Sequence, residues 1–369
     1  MTIDCPREAL LEAAQLAGAP ATGRTTTLPI FESLLFEAKN GSVRLVGCDG
    51  EMWVERLLGA SVSEPGSLAV KSRLLTDILS SLPDGQVHIE QPNSGSLRLS
   101  LASSDYRMVG MPSDDFPEIP KVSADSSLKM KAADFARMVT SVDFAVAAEN
   151  QGRAILTGVL FHYDGEKLRT VATDTHRLAV RTEAFPGIGS EVTAIVPNRT
   201  IQVIKRLPVA EDGELTLTFG DGRLMVEADG ARVVAQLLEG EFPPYDRVVP
   251  SEHTRRWLFD KETLALCLKR ASILARDNAQ RVVMKSEGDR VLLEARSEGV
   301  GEGKEEIQIV KEGDDLEVAF NGRYLLDALT PIETDGAAME LTENDRPTVL
   351  RPSEPGTDYF CVIMPMALM

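Results

Sequence analysis

Three times along the chain an alternating apolar–polar run gives way to apolar residues at helical spacing, and each time the junction is alike. The junctions are Val70-Lys71-Ser72-Arg73, Val196-Pro197-Asn198-Arg199 and Phe320-Asn321-Gly322-Arg323, with arginines 126 and 124 residues apart. Behind them come Leu74, Leu75, Ile78 and Leu79, then Ile201, Ile204 and Leu207, then Leu325, Leu326 and Leu329, the period of a helix with one buried face. Gly41, Gly165 and Gly288 recur in register as turn residues, and Phe116-Pro117 and Phe242-Pro243 stand 126 residues apart. A pattern of about 120 residues written three times predicts three similar domains arrayed by quasi-symmetry.

Each copy reads helix, strand pair, helix, strand pair. In the first, Leu10, Leu11, Ala14 and Leu16 have helical spacing up to Gly18, and Asn40-Gly41 marks a hairpin. Helical stretches are expected at 4–18, 71–82, 129–153, 198–207, 260–277 and 321–330. Their apolar faces must pack on the sheets, which gives α+β domains with antiparallel strands. Polar stretches near 121–128 and 251–259 set the expected domains at 1–122, 128–250 and 251–369. The acidic, Gly-rich "SEGVGEGKEEI" (297–307) is expected to be a mobile loop between strands.

At 369 residues, 43% apolar and 26% charged, the chain has the composition of a soluble globular protein. No apolar run reaches the roughly 18–20 residues that span a bilayer. The opening "MTIDCPREALLEAAQ" has no basic segment followed by an apolar stretch, so no signal peptide and a cytoplasmic location are expected. Cys5, Cys48, Cys267 and Cys361 are scattered without a CxxC pair, which fits reduced, packed thiols rather than disulfides or zinc. The net charge of −18 is unevenly spread. The helical stretches hold 15 Lys and Arg against 11 Asp and Glu, leaving the rest at −22. A polyanion could therefore meet the helices while the remainder stays acidic.

One sequence carries possible chemistry. In "ATDTHRLAV", alternation puts Asp174 and His176 on one face of a strand beside Arg177, so a metal-dependent hydrolase is the rival reading from another class. His88, His162 and His253 stand isolated, and GxxxxGK[ST], GxSxG and HExxH are absent from the sequence. Hydrogen bonding is sufficient to explain the pair, and no cofactor, metal or catalytic residue is expected. The terminal "CVIMPMALM" is too apolar for a free tail. Pro365 ends its strand, leaving Met366 and Leu368 beyond it, and methionines make adaptable surfaces.

With these motifs assembled, the chain resembles the bacterial DNA polymerase III beta subunit, the sliding clamp. "ATDTHRLAV" is similar to that family's ATDGHRLA, "EFPPYDRVVP" to its FPDYRRVIP, "FNGRYLLDAL" to its FNxxYLLDAL and "VIMPMAL" to its VMPMRL. The likeness runs in order from about residue 3 to 368. It implies a non-catalytic, closed head-to-tail homodimeric ring of DNA-clamp domains, helices lining the hole and sheets outside. Such a ring encircles duplex DNA without reading sequence. It tethers the polymerase III catalytic subunit, clamp loader, other polymerases and repair proteins through short peptides, with no membrane partner, and it works at the nucleoid. A specialised clamp paralogue for repair polymerases is a further possibility.

Carried over position by position, one wall of the peptide pocket is Leu156, Thr157, Gly158, Thr173, Thr175, His176, Arg177 and Leu178. Its floor is Pro243, Arg247 and Val248. The other side is Asn321, Tyr324, Pro347, Val362, Met364, Pro365, Met366 and Leu368, with Arg177, His176 and Asn321 expected to hydrogen-bond the ligand. DNA contacts fall on Arg24, Arg73, Asn150 and Arg199, and ring closure on Tyr106, Ile273 and Leu274. The family's usual Gly is here Thr175 and its penultimate Arg is Ala367, followed by an extra Met369. An aromatic pair that touches DNA in some members is here Ala154-Ile155, and a basic residue becomes Asp246.

Overall fold

The computed structural model describes residues 1–22, 28–150, 152–210, 212–276, 278–297, 299–356 and 358–368. They form two compact units, one built from 1–134, 188–190 and 199–237, the other from 135–187, 191–198 and 238–369. Backbone pairing explains why three sequence repeats give two units. Strand Ala231–Gln236, late in the second repeat, pairs with Met52–Gly59 of the first, Val233 opposite Val54. Strand Arg177–Ala184 pairs with Asp358–Ile363 of the third repeat, Leu178 opposite Val362. The sheets thus run on from one repeat into the next.

Among the described residues, thirteen strands form one antiparallel sheet in the first unit, and the second unit has a nine-stranded and a four-stranded sheet. The helices are α1 (Arg7–Ala17), α2 (Ser72–Ser81), α3 (Ala132–Thr140), α4 (Asn198–Ile204), α5 (Lys261–Ala275) and α6 (Gly322–Leu329). Helix α1 packs on α2, and α5 on α6. Strand Ser33–Lys39 shows how the layers are specified. Leu34 and Phe36 join Leu10, Leu75 and Leu79 in the core under α1 and α2. Leu35, from the opposite face, joins Val46, Trp53 and Phe116. Both faces are covered, so these strands read as apolar runs instead of a clean alternation. The hairpin at Asn40-Gly41 has both residues at positive φ, 51° and 76°, as its turn requires.

Four expectations are corrected. Residues 129–153 are not one helix: strand Ser126–Lys131 precedes α3, and single 3₁₀ turns follow at Asp143–Ala145 and Ala154–Thr157. Thr140, Ser141 and Val142 are weak helix formers. The Ser141 hydroxyl donates 2.8 Å to the Arg137 carbonyl, a local bond that competes with continuing the helix. Segment 297–307 is mostly the strand Gly301–Gln308, paired with Arg290–Ser297. Cross-strand ion pairs Lys304–Glu294 (2.9 Å) and Arg290–Glu306 (3.3 Å) hold it. Gly303 allows a close approach, because a Cβ there would sit 2.6 Å from the Leu274 side chain. The polar stretch 251–259 includes the start of strand Arg255–Asp260, whose Trp257 and Phe259 are buried.

The fourth correction is the turn at Asp174. Asp174, Thr175 and His176 connect strands Lys167–Thr173 and Arg177–Ala184, so alternation does not apply to them. Among the described residues the helices themselves carry eight Lys and Arg against six Asp and Glu, a net of +2. The sign of the asymmetry survives at half the size. All four cysteines are buried and unpaired, and burial raises the Cys5 thiol to about 11 and the Cys48 thiol to about 12. Among the described residues no helix is long and apolar enough to cross a membrane.

Candidate functional site

In the second unit the neighbouring strands Arg177–Ala184 and Asp358–Ile363 place Leu178 and Val362 side by side. They floor a cavity of about 240 Å³. Leu156 and Thr173 complete one wall, and Pro243, Pro244, Tyr245 and Val248 close over it. Arg153, Thr175, His176, Arg177 and Met364 make the rim. The closing segment packs by its own aromatics, with Phe242 and Tyr245 edge to face at 6.4 Å. Tyr245 also accepts a 3.2 Å hydrogen bond from Arg169.

The Asp174 turn shapes that rim. One Asp174 carboxylate oxygen accepts from the backbone N–H of His176 (2.9 Å) and of Arg177 (3.0 Å). The other accepts from Arg177 Nε at 3.0 Å. The Thr173 hydroxyl donates to the Arg177 carbonyl at 2.7 Å. Asp174 is thus the organiser of a turn, and it makes no dyad with the His176 ring. Thr175 sits at φ 77°, a conformation a β-branched residue rarely adopts; glycine would take it without strain.

Arg177 is engaged on every side. Besides Asp174, its guanidinium donates to Asp327 at 2.7 Å and to the Phe144 carbonyl. It lies 4.2 Å from the Tyr324 ring centroid and 5.2 Å from that of Phe144. Asn321 is engaged as well: its side-chain oxygen caps α6, accepting from the N–H of Arg323 (3.0 Å) and Tyr324 (3.3 Å). The structure thus gives both of these side chains intramolecular partners. Both are spent on holding the second repeat to the third and on starting a helix.

Of the other carried-over residues, Met364 and Met366 belong to a pinned terminal segment. Met364 N–H donates to the His176 carbonyl at 2.9 Å, and Met366 N–H to the Ala319 carbonyl at 2.7 Å. Pro347, Pro365, Met366 and Leu368 do not line the cavity, nor do Thr157, Gly158, Arg247, Asn321 or Tyr324. The Thr157 hydroxyl donates to the Ala154 carbonyl. Gly158 packs so tightly that a Cβ would meet the Val196 carbonyl at 2.6 Å. Arg153, Pro244 and Tyr245 were missed. The last two lay inside "EFPPYDRVVP", where the apolar and aromatic types were themselves the signal. Ile155 packs into the cluster beneath the site.

The basic residues separate. Arg24 lies outside the described residues, as does Met369. The Arg73 side chain is 91% exposed, 3.8 Å from Asp77 one turn on, and Asn150 is exposed. Arg199 pairs with Asp49 and, at 2.8 Å, with Glu51. Its equivalence to Arg73 in sequence does not extend to its surroundings. Ile273 is 68% exposed and Tyr106 37%, while Leu274 is half-buried. Val109, 83% exposed and three residues on from Tyr106 in the same strand, was not singled out.

Fold and cavity together define a protein of repeated α+β domains with an apolar cleft. Models of the N-terminal, central and C-terminal domains of the DNA polymerase III beta subunit match residues 1–120, 129–244 and 246–367. The chain belongs to the DNA polymerase III beta subunit family, the beta sliding clamps. It is 30% identical to the beta sliding clamp of Synechococcus elongatus over 349 residues, covering 92% of each chain. It is 28% identical to that of Staphylococcus aureus over 337 residues, 89% of each. The sliding clamp of Pseudomonas aeruginosa bound to griselimycin matches with a TM-score of 0.91 at 28% identity, over 100% of both chains.

Proposed function

We propose that this processivity clamp of DNA polymerase III acts without catalysis, as a closed head-to-tail homodimeric ring around duplex DNA. Its domains are 1–122, 128–250 and 251–369, and it works in the cytoplasm at the nucleoid. Exposed basic residues such as Arg73 meet phosphates through water and long side chains, so the ring slides without reading bases. Topological linkage then holds a polymerase on its template. The polymerase, clamp loader and repair proteins insert apolar side chains of short extended peptides into the 240 Å³ cavity.

The observation that carries this reading is the convergence of Leu156, Leu178, Pro243, Val248, Val362 and Met364 on one apolar cavity. Buried apolar anchors dominate peptide affinity, with about 2 kcal/mol or more lost on truncating a good one. The test has two arms. The protein loaded on nicked circular DNA should stay bound and should leave after linearisation. A labelled peptide bearing Leu and Phe should lose affinity in Leu178→Ala and Met364→Ala. Retention on linear DNA would sink the ring; unchanged peptide binding would place the partner site elsewhere.

A further inference from the structure

The first unit contains a groove that repeats the second unit's cavity one domain earlier, with two exposed carboxylates on its lip. The pairing registers establish the correspondence. In the second unit Leu160 faces Val171, and Val171 faces Val180. In the first, Leu35 faces Val46, and Val46 faces Glu55. Leu178 opposite Val362 corresponds to Trp53 opposite Val234, and Val349 beside Val362 to Met225 beside Val234. Phe116 packs on the Leu35–Val46–Trp53 cluster, as Phe242 packs on the Leu160–Val171–Leu178 cluster. Residues 116–122 lie over this groove as residues 243–248 lie over the cavity. The groove encloses about 790 Å³.

The two differ where Glu55 replaces Val180 in the row. Glu55 is 7% exposed. Arg44 pairs with it and with Glu37 (2.6 Å), and Arg232 pairs with it (3.8 Å) and with Glu227 (3.1 Å). The five strands that carry these residues therefore pair their own charges. The lip does not: Asp114 and Glu118 line the groove exposed, and among the described residues neither is in an ion pair. Lys121 is the one further base lining it. The cavity of the second unit instead has Arg153, His176 and Arg177 at its rim.

We propose that this groove binds extended peptides that combine apolar side chains with lysine or arginine. It rests on reading the first cavity as a peptide site, since the argument is one of quasi-equivalence. The floor from Leu35, Val46 and Met225 takes the apolar side chains, and Asp114 and Glu118 take the cations. The test uses the full-length protein and two labelled heptapeptides, one alternating Leu and Lys and ending in Phe, the other with Glu for Lys. Both should bind wild type at once, without competing, and the Lys peptide should weaken with added salt. In the double variant Asp114→Lys, Glu118→Lys the Lys peptide should lose about tenfold or more in affinity while the Glu peptide holds. Met225→Ala, whose fold is checked by urea unfolding, should weaken the same peptide from the floor. Met364→Ala should weaken the Glu peptide alone. A Lys peptide that fails to bind, competes with the Glu peptide or is lost in Met364→Ala would overturn the second groove. A Glu peptide indifferent to Met364→Ala would instead overturn the first cavity, leaving the lip variant to decide the groove.

Discussion

At the scale of residues, the rim of the cavity stores strain and spends charge. Thr175 holds a left-handed conformation, which costs an L-residue about 1–2 kcal/mol. Thr175→Gly relieves it but adds chain entropy of about 0.5–1 kcal/mol to the unfolded state. A net gain of about 0.5–1 kcal/mol is expected in urea unfolding; a loss would mean the threonine side chain contributes more than its strain costs. Arg177 is the opposite case. Its forked contacts to Asp174 and Asp327 and its stacking on Tyr324 need a planar guanidinium. Arg177→Lys should therefore cost about 2–4 kcal/mol, close to the loss in Arg177→Met, because an ammonium neither forks nor stacks. Rescue by lysine would show that charge alone suffices. His88 gives a pH signature. Hydrogen bonds to Asp4 and then Glu90 raise its pKa above the ordinary value. The imidazolium therefore adds stability fully present below the unfolded pKa, about 6.5, and lost as pH rises through the higher folded value. The stability gap between wild type and His88→Gln should shrink across that window on going to higher pH; a gap that widens would reverse the assignment.

At the scale of elements, α5 has two separable tasks. Its start is set by Asp260, whose side chain accepts from Thr263 N–H at 2.8 Å. Asp260→Ala should lower stability by about 1 kcal/mol in thermal melts. Its last turns carry Ile273 and Leu274, which are not equivalent. Ile273 is 68% exposed, so Ile273→Ala should leave subunit stability within about 0.5 kcal/mol. If the ring closes through this helix, the same change should raise the dimer dissociation constant measured by sedimentation. Leu274 also packs inward against Gly303, so Leu274→Ala should weaken both the fold and the dimer. An Ile273→Ala protein with unchanged dimerisation would move the closing contact away from α5. The strand Gly301–Gln308, expected as a loop, belongs to the same consideration. Its alternation is diluted by two glycines and the run Lys304-Glu305-Glu306, which reads as a loop until Arg290–Ser297 supplies the partners.

At the scale of the whole molecule, the two arginines that the repeat makes equivalent, and that are proposed to meet DNA, differ in their surroundings. Arg73 is open, whereas Arg199 is held by Asp49 and Glu51. Arg73→Glu should reduce loading on DNA, most visibly at low salt, with unfolding unchanged. Arg199→Glu puts a third carboxylate beside two others and should destabilise the fold by about 1–3 kcal/mol. Equal unfolding curves for the two variants would show that the Asp49–Glu51 clasp contributes nothing.

The chain by itself determined the threefold repeat, the hairpin turns and the family. These are local or periodic properties: a glycine at positive φ, a 3.6-residue spacing and a cap residue act within a few positions of themselves. Ten of the thirteen cavity-lining residues were marked by the family resemblance, carried over position by position from motifs such as "ATDTHRLAV" and "EFPPYDRVVP". Only the tertiary structure decided which polar groups are free. Arg177 and Asn321 read as ligand donors, and Arg199 as a twin of Arg73, because sequence shows a residue's chemistry but not its partners. Those partners lie 150 residues away for Arg177–Asp327 and for Arg199–Asp49. They meet only once strands of successive repeats pair across a shared sheet. The same pairing turned three repeats into two compact units, since a hydrogen-bonded ladder joins whatever edges it brings together, wherever the sequence pattern restarts.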